Sequence, residues 1–367
     1  MRIPRIVTLT VTLLGLLLLL TGCIPLDQNQ SALDPKGPVA RQQADAFYVT
    51  LYLTTILWVL VGGAMLYAVW RFRLKKTDDP DELPEQSHGH PMIEVGLILF
   101  SAACLVVVAV PTIEGILMTK SLPEEYQEGA ITVDVTGYQW WWAFDYPEEG
   151  VTTANEIVIP VGRAVKLNLR SADVIHSFWL PKLAGKVDLI PGQENFMWIQ
   201  ADEPGMYWGQ CAEFCGDAHA YMLFRCRAVS EEEYADWLAS MREGPEVAVD
   251  APEMPAHYPE EVVQGKKVYM QNCYSCHMIG GKGGVNGPNL TNFAERATIA
   301  AGWMENNTEN LFRWIKEPHK IKPGNYMWYG VPMKTPGGGM IVMEGLDKAN
   351  LSDEDVHAVV AYLQTLK

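Results

Sequence analysis

The sequence predicts a multidomain protein with an N-terminal two-helix transmembrane hairpin, an all-β Greek-key sandwich domain and an all-α C-terminal domain. Two apolar runs, at 47–70 and 92–118, are each long enough to cross a bilayer as a helix. Alternating apolar residues rich in β-branched types begin at residue 131 and indicate strands. Helical patterns follow from residue 260. A chain of 367 residues has room for these units.

Shifts in composition divide the chain further. We expect a signal peptide at 1–22, a linker at 23–43, the hairpin at 44–120, the β domain at 121–242, a second linker at 243–259 and the helical domain at 260–367. The formal net charge is −16, and no run of lysine and arginine indicates a nucleic-acid surface. This acidity either attracts a basic partner or only keeps the exported domains soluble.

The N-terminus has the pattern of a secretory signal. Arg2 and Arg5 precede the apolar run 13–20, and small residues stand directly before Cys23. The segment Leu-Thr-Gly-Cys resembles a bacterial lipobox, which implies cleavage before Cys23 and attachment of lipid to that residue. The alternative is an uncleaved membrane anchor.

Charge indicates the orientation of the hairpin. Four basic residues between 71 and 76 directly follow the first span, so the positive-inside rule puts the loop between the spans in the cytoplasm. The start of the first span and the end of the second span then lie on the outer side of the membrane. The second span is expected to break at Pro111. Glu94 lies at the cytoplasmic start of this span, where an ionisable residue is a functional hypothesis by default. The alternative is a carboxylate at headgroup level with no proton role.

The β domain shows short strand patterns at 131–135, 157–161, 165–169, 196–199 and 222–229. Proline and glycine turn signals separate them, which is typical of a Greek-key sandwich. Within the aromatic stretch that follows the first strand, Trp142 and Phe144 are predicted to be core residues. Cys226 lies in the last strand and is predicted to be a buried thiol.

One loop of this domain concentrates metal-binding chemistry. It carries Cys211, Cys215, His219 and Met222, and a further histidine, His176, lies upstream. Thiolate, imidazole and thioether ligands suit copper, and two thiolates can bridge two metal ions. A disulfide or a zinc site is the alternative, but zinc does not use the thioether and a disulfide leaves both histidines unexplained.

The C-terminal domain carries a second redox signature. Cys273, Cys276 and His277 form a Cys-x-x-Cys-His group, which is typical of covalent haem c attachment, with His277 as the proximal iron ligand. A thioredoxin-like pair is the alternative, but the βαβ context that it needs is missing from the sequence pattern. Ser352 is predicted to cap the final helix with Asp355.

These two sets of residues closely resemble known families. The loop with His176 is similar to the dinuclear copper A centre of cytochrome c oxidase subunit II, and 260–367 is similar to a class I cytochrome c. The resemblance implies a cupredoxin fold for the β domain. It also implies that Cys211 and Cys215 bridge two coppers, that His176 and His219 bind one copper each, and that Met222 is a weak ligand.

The resemblance assigns further roles outside the thiolates and imidazoles. Glu213 matches the residue whose main-chain carbonyl binds copper and whose side chain reaches a magnesium ion at the interface with subunit I. Glu94 matches a glutamate at the entrance of a proton pathway into subunit I, although Leu97 replaces the aromatic residue usual nearby. Asp173 resembles an acidic residue near that interface, or is a plain turn residue.

Two further residues concern electron transfer. Trp140 matches the tryptophan at which electrons from a c-type cytochrome arrive, although Trp141 departs from the tyrosine common there. Met327, in Lys-Pro-Gly-x-x-Met, matches the axial haem ligand, and the remaining alternatives are Met333, Met340 and Met343.

The whole pattern resembles subunit II of caa-type haem–copper oxidases. The resemblance implies a subunit of a proton-pumping terminal oxidase in the bacterial cytoplasmic membrane, with its copper and haem domains on the outer side. Electrons would pass from haem c through copper A to haem a of subunit I, where oxygen is reduced to water. The expected partners are subunit I, other oxidase subunits, membrane lipid and an external donor, such as a c-type cytochrome or a quinol-oxidising complex. A copper-A-containing nitric oxide reductase subunit and a stand-alone membrane electron carrier are the alternatives.

Overall fold

The computed structural model describes residues 27–73, 89–334 and 340–367. The predicted signal peptide at 1–22, the predicted lipidation site Cys23 and residues 74–88 of the loop between the two spans therefore lie outside the described residues.

Two long helices form the hairpin, α1 (Pro38–Arg71) and α2 (Pro91–Lys120). Both are long and apolar enough to cross a membrane, and the apolar stretches of both are exposed on the isolated chain. The prediction that α2 breaks at Pro111 is wrong, because the helix continues through this residue. The side-chain amide of Gln42 in α1 donates to the Pro111 carbonyl at 3.1 Å, which links the two helices at this position.

The described part of the predicted linker 23–43 packs against the β domain. The main-chain amide of Lys36 donates to the Lys182 carbonyl at 2.7 Å, and the amide of Asp202 donates to the Lys36 carbonyl at 2.9 Å. Lys182 also forms an ion pair with Asp34 at 2.7 Å. Helix α1 begins inside this segment, with Pro38 in its first turn, where no N–H is needed. The first span is thus attached to the β domain without a flexible connection.

The β domain, 121–242, is a sandwich of two mixed sheets. Its strands are β1 (Ile131–Tyr138), β2 (Trp141–Tyr146), β3 (Val151–Ala154), β4 (Glu156–Pro160), β5 (Val165–Ser171), β6 (His176–Trp179), β7 (Lys186–Leu189), β8 (Asn195–Ile199), β9 (Gly205–Cys211) and β10 (Leu223–Val229). One sheet has the order β3-β2-β1-β5-β8 and the other β4-β10-β9-β6-β7. Pairs β1–β5 and β4–β10 are parallel, whereas the neighbouring pairs are antiparallel. These crossovers make the domain a Greek-key sandwich, as predicted.

Alternating burial along β1 shows why the sandwich closes, since every second side chain of this strand points into the core. Trp142 and Phe144, in β2, are fully buried in this core and pack edge-to-face on Phe178 and Phe224, which confirms their predicted core position. Cys226 is fully buried as well. Helix α3 (Glu231–Glu243) follows and is capped by a Ser230 capping box.

The C-terminal domain, 260–367, is mainly helical. Its helices are α4 (Glu260–Asn272), α5 (Thr308–Lys316), α6 (Pro318–Ile321), α7 (Tyr326–Tyr329) and α8 (Asp353–Leu363). Two-stranded ladders lie between them, formed by β11 (Met278–Ile279) with β12 (Lys282–Gly283), β13 (Thr298–Ile299) with β14 (Met304–Glu305), and β15 (Val331–Lys334) with β16 (Met340–Met343). Single 3-10 turns occur at Glu124–Tyr126, His219–Tyr221, Phe293–Glu295 and Leu346–Lys348.

Helices α4 and α8 cross closely in this domain. A Cβ atom on Gly265 would lie 1.9 Å from the Ala358 carbonyl oxygen, so only glycine permits this approach. A capping box formed by Ser352 and Asp355 starts α8, which confirms the prediction. The predicted second linker, 243–259, packs on the same domain: Val249 is buried in its core and Lys266 donates to the Ala251 carbonyl at 2.6 Å.

Candidate redox sites

The predicted copper ligands converge on one buried place at the end of the sandwich. Cys211 ends β9, His176 begins β6, and the loop 211–222 (the metal loop) brings the others towards them. The Cys211 and Cys215 sulfurs lie 3.8 Å apart. His176 Nδ1 is 4.0 Å from Cys211 Sγ, His219 Nδ1 is 3.5 Å from Cys215 Sγ, and Met222 Sδ is 3.8 Å from Cys215 Sγ.

The donor set fits a dinuclear copper centre. Two thiolates stand side by side, and each has an imidazole nitrogen near it, so each of two metal ions has its own nitrogen ligand. The carbonyl oxygen of Glu213 lies 3.3 Å from Cys211 Sγ, within reach of the same site, and its side chain is half-buried. His176, Cys211 and Cys215 also form a set whose ligand atoms lie within 4.8 Å of one another. The distances therefore bring together all six residues that the sequence assigns to this centre.

Charge and hydrogen bonding prepare these ligands. Burial lowers the pKa of His176, but hydrogen bonds to Asp173 and Cys211 outweigh it, so its pKa is raised. The Asp173 carboxylate lies 2.8 Å from His176 Nε2, which leaves Nδ1 facing the thiols. The Cys215 thiol lowers the pKa of Cys211 to about 4 through their hydrogen bond, whereas that bond, together with burial, raises the pKa of Cys215. One thiolate of the pair thus forms readily, and a bound metal would deprotonate both.

The carbonyl of Cys215 connects the metal loop to the aromatic stretch that follows β1. Trp140 Nε1 donates to this oxygen at 2.9 Å, and Gln139 Nε2 donates to it at 2.7 Å. Gly216 follows with a φ of +113°, and a Cβ at this position would lie 3.0 Å from Trp140 Cζ2 and from Gln139 Nε2. Only glycine therefore allows both side chains to approach the loop.

The predicted haem attachment group borders a large cavity of about 680 Å³ (the haem cavity). Cys273, Cys276 and His277 line it, and its volume is in the usual range of cofactor sites. His277 Nδ1 lies 2.8 Å from the Pro288 carbonyl, so the proton stays on Nδ1 and Nε2 is free to bind iron. Desolvation lowers the pKa of His277, which keeps the ring neutral as a ligand. These residues fit a covalently attached haem.

Two of the candidate axial methionines line the haem cavity. Met327, in α7, and Met343, at the end of β16, both do so. The sulfur of Met343 lies 3.1 Å from Cys276 Sγ, on the attachment side. Met340 is 62% exposed and Met333 lies in β15.

The haem cavity and the metal loop share one wall. Gln139, Trp140 and Trp141 line the cavity, while the first two also donate to Cys215. The C-terminal domain covers Trp140, which is 6% exposed, and places the Tyr326 ring 5.3 Å from it between centroids. Lys322 Nζ donates to the Trp140 carbonyl at 2.6 Å. We predicted no role for Gln139 or Lys322 from the sequence, although Gln139 lies in the aromatic stretch and Lys322 begins the Lys-Pro-Gly-x-x-Met motif.

A buried polar joint holds the two domains together on another side. Glu156, at the start of β4, is 5% exposed and accepts a hydrogen bond from the Ala297 amide at 3.2 Å. Arg225 is 3% exposed and donates to the Gly302 carbonyl at 2.6 Å. Arg296 reaches the Ala154 carbonyl at 3.3 Å. No periodicity or motif marks these residues, because their partners lie far apart in the sequence.

Glu94 lies near the start of α2, apart from both redox sites. Its carboxylate is exposed on the isolated chain and stands close to Gly89. At this position the carboxylate is accessible to a partner subunit, as the predicted proton role requires.

Comparison with known proteins identifies the family. A profile of the periplasmic domain of cytochrome c oxidase subunit II matches 150–229, and a cytochrome c profile matches 262–367. Cytochrome c oxidase subunit 2 of Alkalihalophilus pseudofirmus is 39% identical over 356 residues, which cover 96% of this chain and 95% of the relative. The chain belongs to the cytochrome c oxidase subunit 2 family. The Bacillus subtilis subunit 2 is 30% identical, with 95% of each chain covered.

Among solved structures, the periplasmic domain of subunit II of cytochrome oxidase from Bradyrhizobium japonicum is similar, with 35% identity. The match covers 31% of this chain and 94% of that domain, with a TM-score of 0.30.

Family membership confirms the coarser predictions made from the sequence. The chain is a fused subunit II, with a cupredoxin-like β domain and a helical cytochrome c domain. These two domains imply copper A and haem c. As a subunit of an oxidoreductase, it works in a complex with subunit I and other oxidase subunits. Its two apolar helices fit a membrane protein with periplasmic domains.

Proposed function

We propose that this subunit accepts electrons at haem c and passes them through copper A to haem a of subunit I, in a proton-pumping oxidase that reduces oxygen to water. One observation carries the proposal: the haem cavity and the metal loop share the wall formed by Gln139 and Trp140. When bound, the two cofactors supply a one-electron donor and a one-electron acceptor. An oxidase of this kind is both an oxidoreductase and a proton translocase.

The chain's own residues have binding and shielding roles in this proposal. Cys211 and Cys215 would bridge the coppers, with His176, His219, Met222 and the Glu213 carbonyl completing the set. Low exposure of the thiols and of His176 keeps water from this site, so that little solvent has to reorganise when the charge changes. Cys273 and Cys276 would hold the haem, with His277 and Met327 as axial ligands.

Trp140 is proposed as the residue at which electrons reach the copper centre. Because the cytochrome c domain covers this ring, an external c-type cytochrome or quinol-oxidising complex would deliver its electrons to haem c instead. A fused donor also has a high effective concentration at its acceptor.

Three further roles concern the membrane and subunit I. The Glu213 carboxylate would reach a magnesium ion at the subunit I interface, since hard cations prefer oxygen ligands. Glu94 would open a proton pathway into subunit I. Lipid on Cys23 would anchor the N-terminus on the outer face of the bacterial cytoplasmic membrane.

The function is tested on the purified complex by optical and electron paramagnetic resonance spectra, together with uptake of oxygen and of nitric oxide. We expect a mixed-valence copper signal, a haem c spectrum and oxygen uptake. Cys215→Ala should abolish the copper signal and oxygen uptake, whereas Cys226→Ala, at a buried thiol outside the site, should keep both. Reduction of nitric oxide without oxygen uptake, or isolation of the chain without subunit I, would contradict the proposal.

A further inference from the structure

The short loop before Met327 contacts the aromatic stretch of the β domain at three points. The Tyr326 hydroxyl donates to Gln139 Oε1 at 2.9 Å, and Lys322 Nζ donates to the Trp140 carbonyl at 2.6 Å. The third contact is between the rings of Tyr326 and Trp140, inclined at 31° with 5.3 Å between centroids. The loop that carries the proposed axial ligand is thus fixed directly on Trp140, which is hydrogen-bonded to the metal loop.

The loop itself is held in one conformation. Asn325 is 4% exposed, and its side chain donates to the Lys322 carbonyl at 2.6 Å and accepts from the Trp328 amide at 3.0 Å. It therefore both closes the turn and caps α7. Tyr326 is the first residue of this helix, so the cap fixes the main chain from which its ring extends.

Gln139 uses its main-chain amide and both polar atoms of its side chain in this arrangement. Its main-chain amide donates to Asp173 at 2.7 Å, and the same carboxylate contacts His176. Its side-chain nitrogen donates to the Cys215 carbonyl and its side-chain oxygen accepts from Tyr326. Because its side-chain amide donates and accepts at once, Gln139 links Tyr326 of the C-terminal domain to the Cys215 carbonyl. Its main-chain amide adds the bond to Asp173, beside His176.

We propose that the Tyr326 ring is the haem-side contact through which an electron reaches Trp140, and that Gln139 is the positioning residue that holds this ring against the metal loop. The inference rests on the proposed route from haem c to copper A and adds its protein residues. One electron moves and no bond is made or broken: the haem is oxidised by one electron and the copper pair is reduced by one. The Tyr326 proton stays on its hydroxyl, hydrogen-bonded to Gln139.

The test uses the intact oxidase complex. An electron is placed on haem c by a light pulse, and reduction of copper A is followed by its absorbance. Tyr326→Leu should slow this step by about tenfold or more, because loss of the ring opens a gap in a route that depends on close positioning. Tyr326→Phe should slow the step less than Tyr326→Leu, since the ring remains although its hydrogen bond to Gln139 is lost. Tyr329→Leu is the matched control: this tyrosine ends the same helix and is 55% exposed.

A second measurement does not depend on electron flow. In the copper-loaded chain, Gln139→Leu should alter the copper hyperfine lines, because the Cys215 carbonyl loses a donor. Gln139→Leu and Tyr326→Phe should each increase hydrogen exchange at 322–327, whereas Tyr329→Leu should not. The assignment would be overturned if electron transfer in Tyr326→Leu were as fast as in Tyr329→Leu. It would also be overturned if electron transfer in Tyr326→Phe were as slow as in Tyr326→Leu. If the unmodified complex transfers no electron from haem c to copper A, the proposed route fails, and unchanged hyperfine lines and exchange would separately refute the positioning role.

Discussion

The indole nitrogen of Trp140 donates a hydrogen bond of 2.9 Å to the main-chain carbonyl of Cys215. A ring that lines the haem cavity is thereby bonded to a residue whose thiol faces the proposed copper site. Lys322 donates to the carbonyl of the same tryptophan. Groups from both domains therefore bond to Trp140, and its substitution should separate binding of the cofactors from transfer between them.

Trp140→Phe removes this hydrogen bond and keeps an aromatic ring. We expect copper and haem contents to stay unchanged, because neither group is bound by the indole. Reduction of copper A from haem c should slow by about tenfold or more, since the contact with the metal loop is lost. Flash-induced absorbance changes measure the rate.

The control for this change is Trp141→Tyr, a substitution of the neighbouring ring. Trp141 stacks on Tyr138 with 4.4 Å between ring centroids, away from the metal loop. Equal rates in the two variants would show that the Trp140–Cys215 bond does not matter for transfer.

Met327→Leu should remove the near-infrared methionine charge-transfer band of the oxidised haem and lower its potential, because methionine ligation raises the potential. Met327 lies directly after Tyr326, in the loop fixed on Trp140. Met343→Leu is the matched control at the other methionine of the haem cavity. A band that persists in Met327→Leu and disappears in Met343→Leu would reverse the assignment.

Local patterns in the sequence predict most of the fold and the ligand sets. The metal loop and the Cys-x-x-Cys-His group are compact motifs, and span length and alternation are local properties. Strand β2 escapes this reasoning, because its consecutive aromatic residues do not alternate, and the short strands β3, β6 and β7 offer too few positions. Strand β9 escapes it too, because Gly205 and Gly209 interrupt its pattern of apolar residues.

The contact between the domains could not be predicted in this way. Glu156 meets residues of the cytochrome c domain, and Gln139 meets Tyr326, across separations of more than a hundred residues. Each of these side chains is chemically ordinary, and its role depends on the docked position of the other domain. The same holds for Lys322, whose partner is a main-chain carbonyl that has no residue signature.

Glu156→Gln tests the polar joint between the domains. Glu156 is buried and forms an ion pair with Arg227 at 3.7 Å, while burial raises its pKa against the opposing effect of neighbouring arginines. Arg227 is one-third exposed and the raised pKa means that the charge on Glu156 is not itself stabilising, so the loss comes from the weakened hydrogen bond with the Ala297 amide, and we expect about 1.5 kcal/mol in the free energy of unfolding. Denaturant titration followed by haem absorbance measures the loss.

The exposed pair of Arg163 and Glu231 provides the comparison, since the Glu231 side chain is 64% exposed. Glu231→Gln should cost less than about 1 kcal/mol, as is usual for surface pairs. Similar losses in both variants would mean that the joint contributes no more than a surface contact.

Lys322→Gln should change how stability depends on pH. Burial lowers the pKa of Lys322 from 10.5 to about 7. Between these values the unfolded chain binds a proton that the folded chain does not, so stability of the unmodified protein rises with pH across this window and the contribution is absent below it. The glutamine variant lacks this gain, so its disadvantage should grow from about pH 7 to about pH 9. Thermal unfolding followed by haem circular dichroism measures both curves. Lys320→Gln is the control, because Lys320 is 62% exposed and its ion pair with Glu317 lies on the surface. Its curve should run parallel to that of the unmodified chain. A constant difference between Lys322→Gln and the unmodified chain at all pH values would refute the lowered pKa.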